Sequence, residues 1–279
     1  MRVGLHVSIA GSIDNAVDNA KAAKCDTFQI FTRNPRGWRF GDLDPQEVKS
    51  FKEKLEQTGI GPPVSHMPYL PNLACPDDEL YDKSSATLVA EVDRCAQLSI
   101  PYVVTHLGSH LGRGREVGLE RLCKALNLAT KRTKGDVQIL LENMAGQANS
   151  MGSTFKDLKE ILNGVKKKEA VGVCLDTCHM YAAGLDLRSE KSVQATMSKF
   201  DEVIGFEKLK VVHLNDSEFG FGSGRDRHEH IGKGYIGERG FKAILHHPAF
   251  RELPMIIETD EDGTGAHQRD LKKARELGK

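Results

Sequence analysis

VGVCLDTCHM, residues 171–180, starts as an ordinary buried strand and then changes character. Within four residues it delivers Asp176, Thr177, Cys178 and His179, side chains that coordinate ions or handle protons. Two readings compete. The C-x3-C pair Cys174 and Cys178 could be the point, or the pair Asp176 and His179.

The rest of the chain gives this strand its setting. β-like runs recur at 2–8 (RVGLHVS), 27–31 (TFQIF), 62–66 (PPVSH), 101–106 (PYVVTH), 137–142 (VQILLE), 171–176 (VGVCLD), 210–215 (KVVHLN) and 254–259 (PMIIET). Helical segments lie between and after them, at 12–24, 44–57, 77–98, 119–132, 155–165, 192–204, 238–247 and 267–278. Ser12, Asp44 (with Pro45 at the first helical position) and Ser153 or Thr154 read as N-caps. Eight βα units are the signature of an α/β fold, a single (β/α)8 TIM barrel spanning 1–279 as one domain. A doubly wound sheet shares the alternation and is the structural rival. Two long loops, 32–43 and 215–237, stand out as functional or mobile.

Composition narrows the classes. The 279 residues are 39% hydrophobic and 28% charged, with a formal net charge of zero. That permits a substantial core. It argues against a strongly basic nucleic-acid coat while leaving local patches open. No run approaches the roughly 18 apolar residues of a membrane span, and no apolar leader opens the chain, so a soluble, intracellular protein without membrane association is expected. Six cysteines are scattered without a C-x2-C pair, which suits buried fillers better than a zinc ribbon or redox site. Cys174 and Cys178 therefore read as packing.

The last residue or so of each run carries the functional signal. At or next to the end of the third to eighth runs stand His66, His106, Glu142, Asp176, His213 and Glu258. With 11 His and 39 Asp plus Glu in the chain, composition alone does not explain six such ends in a row. Two residues before each, on the same face of its strand, stand Val64, Val104, Leu140, Cys174, Val211 and Ile256, the apolar layer a barrel packs beneath its mouth. Crowded buried carboxylates repel one another and protonate unless cations join them. Mixed His, Asp and Glu ligands without thiolate suit zinc or manganese in a hydrolytic centre. His6, ending the first run, reads as a hydrogen-bonding structural group. His179, with the D-x-H pair Asp226 and His228 in GSGRDRHEHIGKG (222–234), can complete a third site. Four carboxylates against three divalent cations leave a surplus of positive charge that favours an anion such as phosphate.

HVSIAGS (6–12), THLGSH (105–110), LEN-AGQ (141–147, Met144 in the gap), CLDTCH (174–179), HLND (213–216), GRDRHEHIGKGYIG (224–237) and IIET (256–259) resemble endonuclease IV, the trinuclear-zinc apurinic/apyrimidinic endonuclease family. The resemblance runs essentially end to end. It implies a TIM barrel with three Zn2+ per chain, Mn2+ being able to take some positions. By motif, His66 and His106 would hold one ion, and Asp176, His213 and Glu258 a second. Glu142 would bridge the two, and His179, Asp226 and His228 would hold the third. Glu142 and Glu258 would be the catalytic carboxylates. The family's activity is cleavage 5′ to an abasic site in double-stranded DNA, leaving a 3′-hydroxyl and a 5′-deoxyribose phosphate, with trimming of blocked 3′ ends. Base excision repair by a monomeric, cytoplasmic, DNA-associated enzyme is then expected. Arg36, Tyr69 and Leu70 match the residues that wedge into the helix at the lesion.

The residues support the same chemistry independently. Phosphodiester hydrolysis needs a strong nucleophile and charge neutralisation, which paired zinc ions supply. No G-x-S-x-G offers a protein nucleophile. An abasic nucleotide costs less to flip out than a normal one. Arg33, Arg36 and Arg39 around Trp38 read as a phosphate and stacking patch, and the runs KRTK (131–134) and KKK (166–168) as solvated helix ends. GKGYIG (232–237) mimics a dinucleotide fingerprint, but no apolar strand precedes it. A two-metal sugar isomerase or epimerase is the rival enzyme, and the His179/Asp226/His228 set separates it. A non-catalytic lesion-binding barrel would have lost ligands.

Overall fold

The computed structural model describes residues 1–133 and 137–279. The chain runs β1 (Arg2–His6), α1 (Asn15–Ala22), β2 (Thr27–Ile30), α2 (Pro45–Thr58), β3 (Pro63–His66), α3 (Asp78–Leu98), β4 (Tyr102–Thr105), α4 (Arg115–Thr130) and β5 (Gln138–Glu142). It continues through α5 (Phe155–Gly164), β6 (Val171–Asp176), α6 (Thr177–Ala182), α7 (Glu190–Val203), β7 (Leu209–His213), β8 (Asp216–Ser217), β9 (His228–Glu229), α8 (Gly237–His246), β10 (Pro254–Ile257) and α9 (Ala266–Leu277). Eight strands close into a parallel barrel in the order β1-β10-β7-β6-β5-β4-β3-β2. The TIM barrel is therefore observed and the open doubly wound sheet is excluded.

Two apolar cores hold the barrel. Outside it, the strands' outward side chains pack against the helices. Inside it, Val64, Val104, Leu140, Cys174, Val211 and Ile256 form a separate cluster, every member fully buried, with Tyr102 packed against it. These are the six residues expected beneath the mouth. The seam between β1 and β2 depends on a glycine, because a Cβ on Gly4 would lie 1.7 Å from the Thr27 carbonyl oxygen.

Local signals explain the helix ends. Asp44 accepts hydrogen bonds from the backbone N–H of Gln46 (2.7 Å) and Glu47, with Pro45 following, and Gly59 closes α2 in the left-handed region. Thr154 and Asp157 form a reciprocal capping box on α5. Ser12 does not cap α1: its hydroxyl bonds the Asp14 side chain, and a turn over 12–14 precedes the helix. In the KKK run, Lys168 donates to the Leu162 and Asn163 carbonyls at the end of α5. Lys134 of KRTK lies outside the described residues. No described helix is long and apolar enough to cross a membrane.

The loop 215–237 is more ordered than its composition suggests. β8 and β9 pair antiparallel, Asp216 opposite Glu229 and Ser217 opposite His228. The buried Asp216 carboxylate then gathers the following segment. Its Oδ1 accepts from the N–H of Ser217 (2.8 Å) and Ile236 (2.9 Å), and its Oδ2 from Gly234 (3.0 Å) and Gly237 (3.2 Å). Burial pushes this carboxyl up while the backbone N–H groups pull it down. GKGYIG is thus an anion-binding turn whose anion is the chain's own aspartate.

Candidate metal centre

The nine residues expected as ligands converge at the C-terminal ends of the barrel strands. Strand ends deliver His66, Glu142, Asp176 and His213, while His106 and Glu258 stand one residue past β4 and β10. Asp176 also caps α6: its Oδ1 accepts from the His179 N–H at 2.7 Å, which turns that short helix back over the mouth. His228 comes from β9 and Asp226 from the loop before it.

Glu142 is the hub. Its Oε2 lies 3.1 Å from Nε2 of both His66 and His106. Its Oε1 lies 3.1 Å from His213 Nδ1 and 3.4 Å from His179 Nδ1. The donor atoms fall into three sets, each within 4.8 Å: His66, His106 and Glu142; Glu142, Asp176, His213 and Glu258; and His179, Asp226 and His228. Asp176, Cys178 and His228 also approach one another. Burial drives the Cys178 thiol well up, however, and its Sγ donates to the Arg227 carbonyl at 3.4 Å. Cys174, in the inner layer, is pushed up to about 12 by burial. Both cysteines pack, as expected.

Carboxylates and imidazoles in this cluster hold one another's charge. Burial alone would neutralise Glu142, yet His106 and His213 hold it well below the usual carboxylate range. Burial likewise opposes ionisation of Glu258, but His213 brings it down to about 2. In return, His179 and His213 stay well above the usual imidazole range against their burial, because Asp176 and Asp226 face the first and Cys174, Glu258 and Glu142 the second. A divalent ion bound among these groups would displace imidazole protons. Ring orientation suits ligation too. His66 Nδ1 donates to the Met67 carbonyl (2.6 Å) and His179 Nδ1 to the Asn143 carbonyl (2.9 Å), which turns each Nε2 inward. His179 Nε2 sits 3.0 Å from Asp226 Oδ1, yet it and His228 Nε2 are buried without a well-directed hydrogen bond. Orphaned imidazole nitrogens beside a carboxylate suit a bound cation.

Known relatives share nearly the whole length of this chain. Residues 17–277 match the family model described as a xylose isomerase-like TIM barrel. "Probable endonuclease 4" of Methanoculleus marisnigri is 54% identical over 276 residues, covering 99% of this chain and 98% of that protein. The chain belongs to the endonuclease IV family. It is a nuclease, a phosphodiester hydrolase, and the family is one of AP endonucleases acting in DNA repair. The crystal structure of endonuclease IV from Thermus thermophilus superposes with a TM-score of 0.89 at 36% identity, covering 99% of this chain and 98% of that one. A D-tagatose 3-epimerase-like protein shares the fold at 19% identity and a TM-score of 0.73, with 100% and 98% of the chains covered.

Around the endonuclease IV centre stand residues that strand-end reasoning did not single out. Asn215 donates to Asp176 Oδ2 (2.7 Å) and Glu258 Oε2 (3.1 Å) and accepts from the Glu258 N–H (2.9 Å). Asn143 accepts from the Asp176 N–H at 2.7 Å. Asp270 accepts from His230, Thr259 and the Ile231 N–H, tying α9 to both ligand-bearing loops. Gln29 on β2 contacts His213 and Glu258. HLND and LEN contain the two asparagines, and an amide between the apolar residues of TFQIF was the available sign for Gln29. His6 belongs to no donor set among the described residues. Burial brings its imidazole down to about 3, consistent with a structural group.

The residues matched to the lesion wedge also meet. Tyr69 and Leu70 are 60% and 38% exposed, and the Tyr69 N–H donates to the Pro35 carbonyl, beside the exposed Arg36. Phe31 packs edge-on to Tyr69 (5.0 Å) and to His66 (5.8 Å), linking wedge and centre. Arg33 corrects the expected patch. It is buried, its Nε is 2.7 Å from Glu91 Oε1, and Phe40 covers its guanidinium at 3.9 Å. It anchors the loop, leaving Arg36 and Arg39 on the surface.

Proposed function

We propose that the chain, acting as one domain over 1–279, hydrolyses the phosphodiester 5′ to an abasic site in double-stranded DNA. The products are a 3′-hydroxyl and a 5′-deoxyribose phosphate, and the same centre trims blocked 3′ ends. Three zinc ions would be held by the three donor sets, with Glu142 shared between two of them, and manganese can substitute at some positions. The observation that carries this reading is that shared carboxylate, with four imidazoles within 3.4 Å of its oxygens.

The bound ions would neutralise the phosphate and activate water. Glu142 and Glu258 supply the anionic ligands at the hydrolytic pair, and Asp176 combines ligation with capping of α6. His179, Asp226 and His228 form a separate set beside them, where the leaving oxygen is to be stabilised. Arg36, Tyr69 and Leu70 would hold the DNA open. Charge supports a polyanion here. Most arginines elsewhere sit in ion pairs, but Arg36, Arg39, Arg113, Arg225 and Arg227, on loops leaving the mouth ends of β2, β4 and β7–β8, have no carboxylate partner among the described residues. Arg225 lies over Phe219 at 4.5 Å, a pairing suited to a sugar-phosphate edge. A monomer working inside the cell on DNA completes the reading.

The test uses purified protein and duplex DNA with one abasic-site analogue, with and without chelator, alongside elemental analysis. A 5′-side nick, close to three metals per chain and loss of activity on chelation are expected. Intact DNA with two metals bound would overturn the reading in favour of a sugar-isomerase type of barrel.

A further inference from the structure

We infer that Gln29 is a positioning residue that dictates which nitrogen of His213 ligates the centre. This deepens the proposed metal-dependent function and rests on it. Gln29 is fully buried on β2, between the apolar Phe28 and Ile30. Its side chain faces three polar groups. Nε2 lies 2.6 Å from Glu258 Oε1 and 3.0 Å from His6 Nδ1, and Oε1 lies 2.9 Å from His213 Nε2.

These contacts admit one assignment. An ionised Glu258 only accepts, so the amide nitrogen must face it; the flipped amide would set two acceptors against each other. Oε1 then faces His213, whose Nε2 must carry a hydrogen to donate. His213 Nδ1 is left as the ligating atom, and it is this atom that stands 3.1 Å from both Glu142 Oε1 and Glu258 Oε2. The second amide N–H of Gln29 is taken by His6 Nδ1, which gives that histidine its part: it completes the amide's bonds. One side chain thus orients an imidazole and a carboxylate of the same donor set. Outer partners of this kind typically change metal affinity by about 10–100-fold.

The experiment compares wild type with Gln29→Met, of similar volume and without donor or acceptor. Zinc is titrated against a competing chelator, and histidine-ring 15N NMR is recorded on the zinc-loaded wild type. Expected are an affinity weaker by about 10–100-fold for one of three ions in Q29M, the other two unchanged, and a His213 signal with Nδ1 on the metal and Nε2 protonated. Equal affinities in a folded Q29M, or metal on Nε2 of His213, would overturn the assignment while leaving the metal centre intact. A wild-type chain that binds no zinc would overturn both. The NMR measurement on wild type decides the case should Q29M fail to fold.

Discussion

Replacing Asp216 with Asn tests whether the loop that carries His228 is built around an internal anion. The carboxylate accepts four backbone N–H groups, two on each oxygen. An asparagine can keep one oxygen and its two donors. Its NH2 would then face two further N–H groups with nothing to accept them. Two charge-assisted bonds are lost and buried donors are orphaned, at about 1–3 kcal/mol each. Burying a neutral amide instead of a carboxylate offsets part of this, since burial pushes the Asp216 carboxyl up. The net expectation is about 2–4 kcal/mol of destabilisation. Urea unfolding of the metal-free chain reads that term. Metal titration reads its consequence, because Ser217 pairs with His228 and a loosened ribbon should weaken the ion held by His179, Asp226 and His228 first. An unchanged urea midpoint with unchanged affinity at all sites would refute the reasoning, and GKGYIG would be free to bind an external phosphate.

Other outcomes follow from the same geometry. Glu142→Gln should leave abasic-DNA binding in place while cleavage falls by two orders of magnitude or more, about 3 kcal/mol of barrier; wild-type cleavage by the variant would remove Glu142 from its bridging role. Arg36→Ala combined with Arg225→Ala should weaken DNA binding and flatten its salt dependence by roughly one unit of slope per lost phosphate contact. Fluorescence anisotropy over a salt series checks this, and an unaltered slope would exclude both from the interface. Leu140→Ala, fully buried beneath Glu142, should cost about 2–5 kcal/mol in urea unfolding; a neutral change would mean that the inner layer is not close-packed.

Strand-end chemistry was legible because a parallel barrel brings every strand's C-terminal end to one mouth. His66 and Glu258 are far apart in the chain, but their positions at the ends of apolar runs placed them together. The apolar layer followed from alternation along the same strands. What stayed hidden depends on partners rather than on patterns. All six residues of α6 are buried, so no amphipathic period marks it. Arg33 and Arg36 share one loop, yet Glu91 on α3 draws the first inside and leaves the second in water. The G-x-G-x-x-G turn has the chemistry its pattern implies, and only the path of the loop reveals that Asp216 fills it.

The inner layer of six side chains and the larger core outside the strands form separate clusters. That separation divides the molecule into a part that can drift and a part that cannot. Side chains between strands and helices form the larger cluster, and volume-conserving exchanges there, away from the ligand-bearing strand ends, are the better tolerated ones. The inner layer has less freedom: each member stands two residues below a ligand candidate, so a change of volume there is expected to disturb the donor sets above it. Substitutions that tune stability thus have far more room in the outer shell than in the six-residue floor of the site.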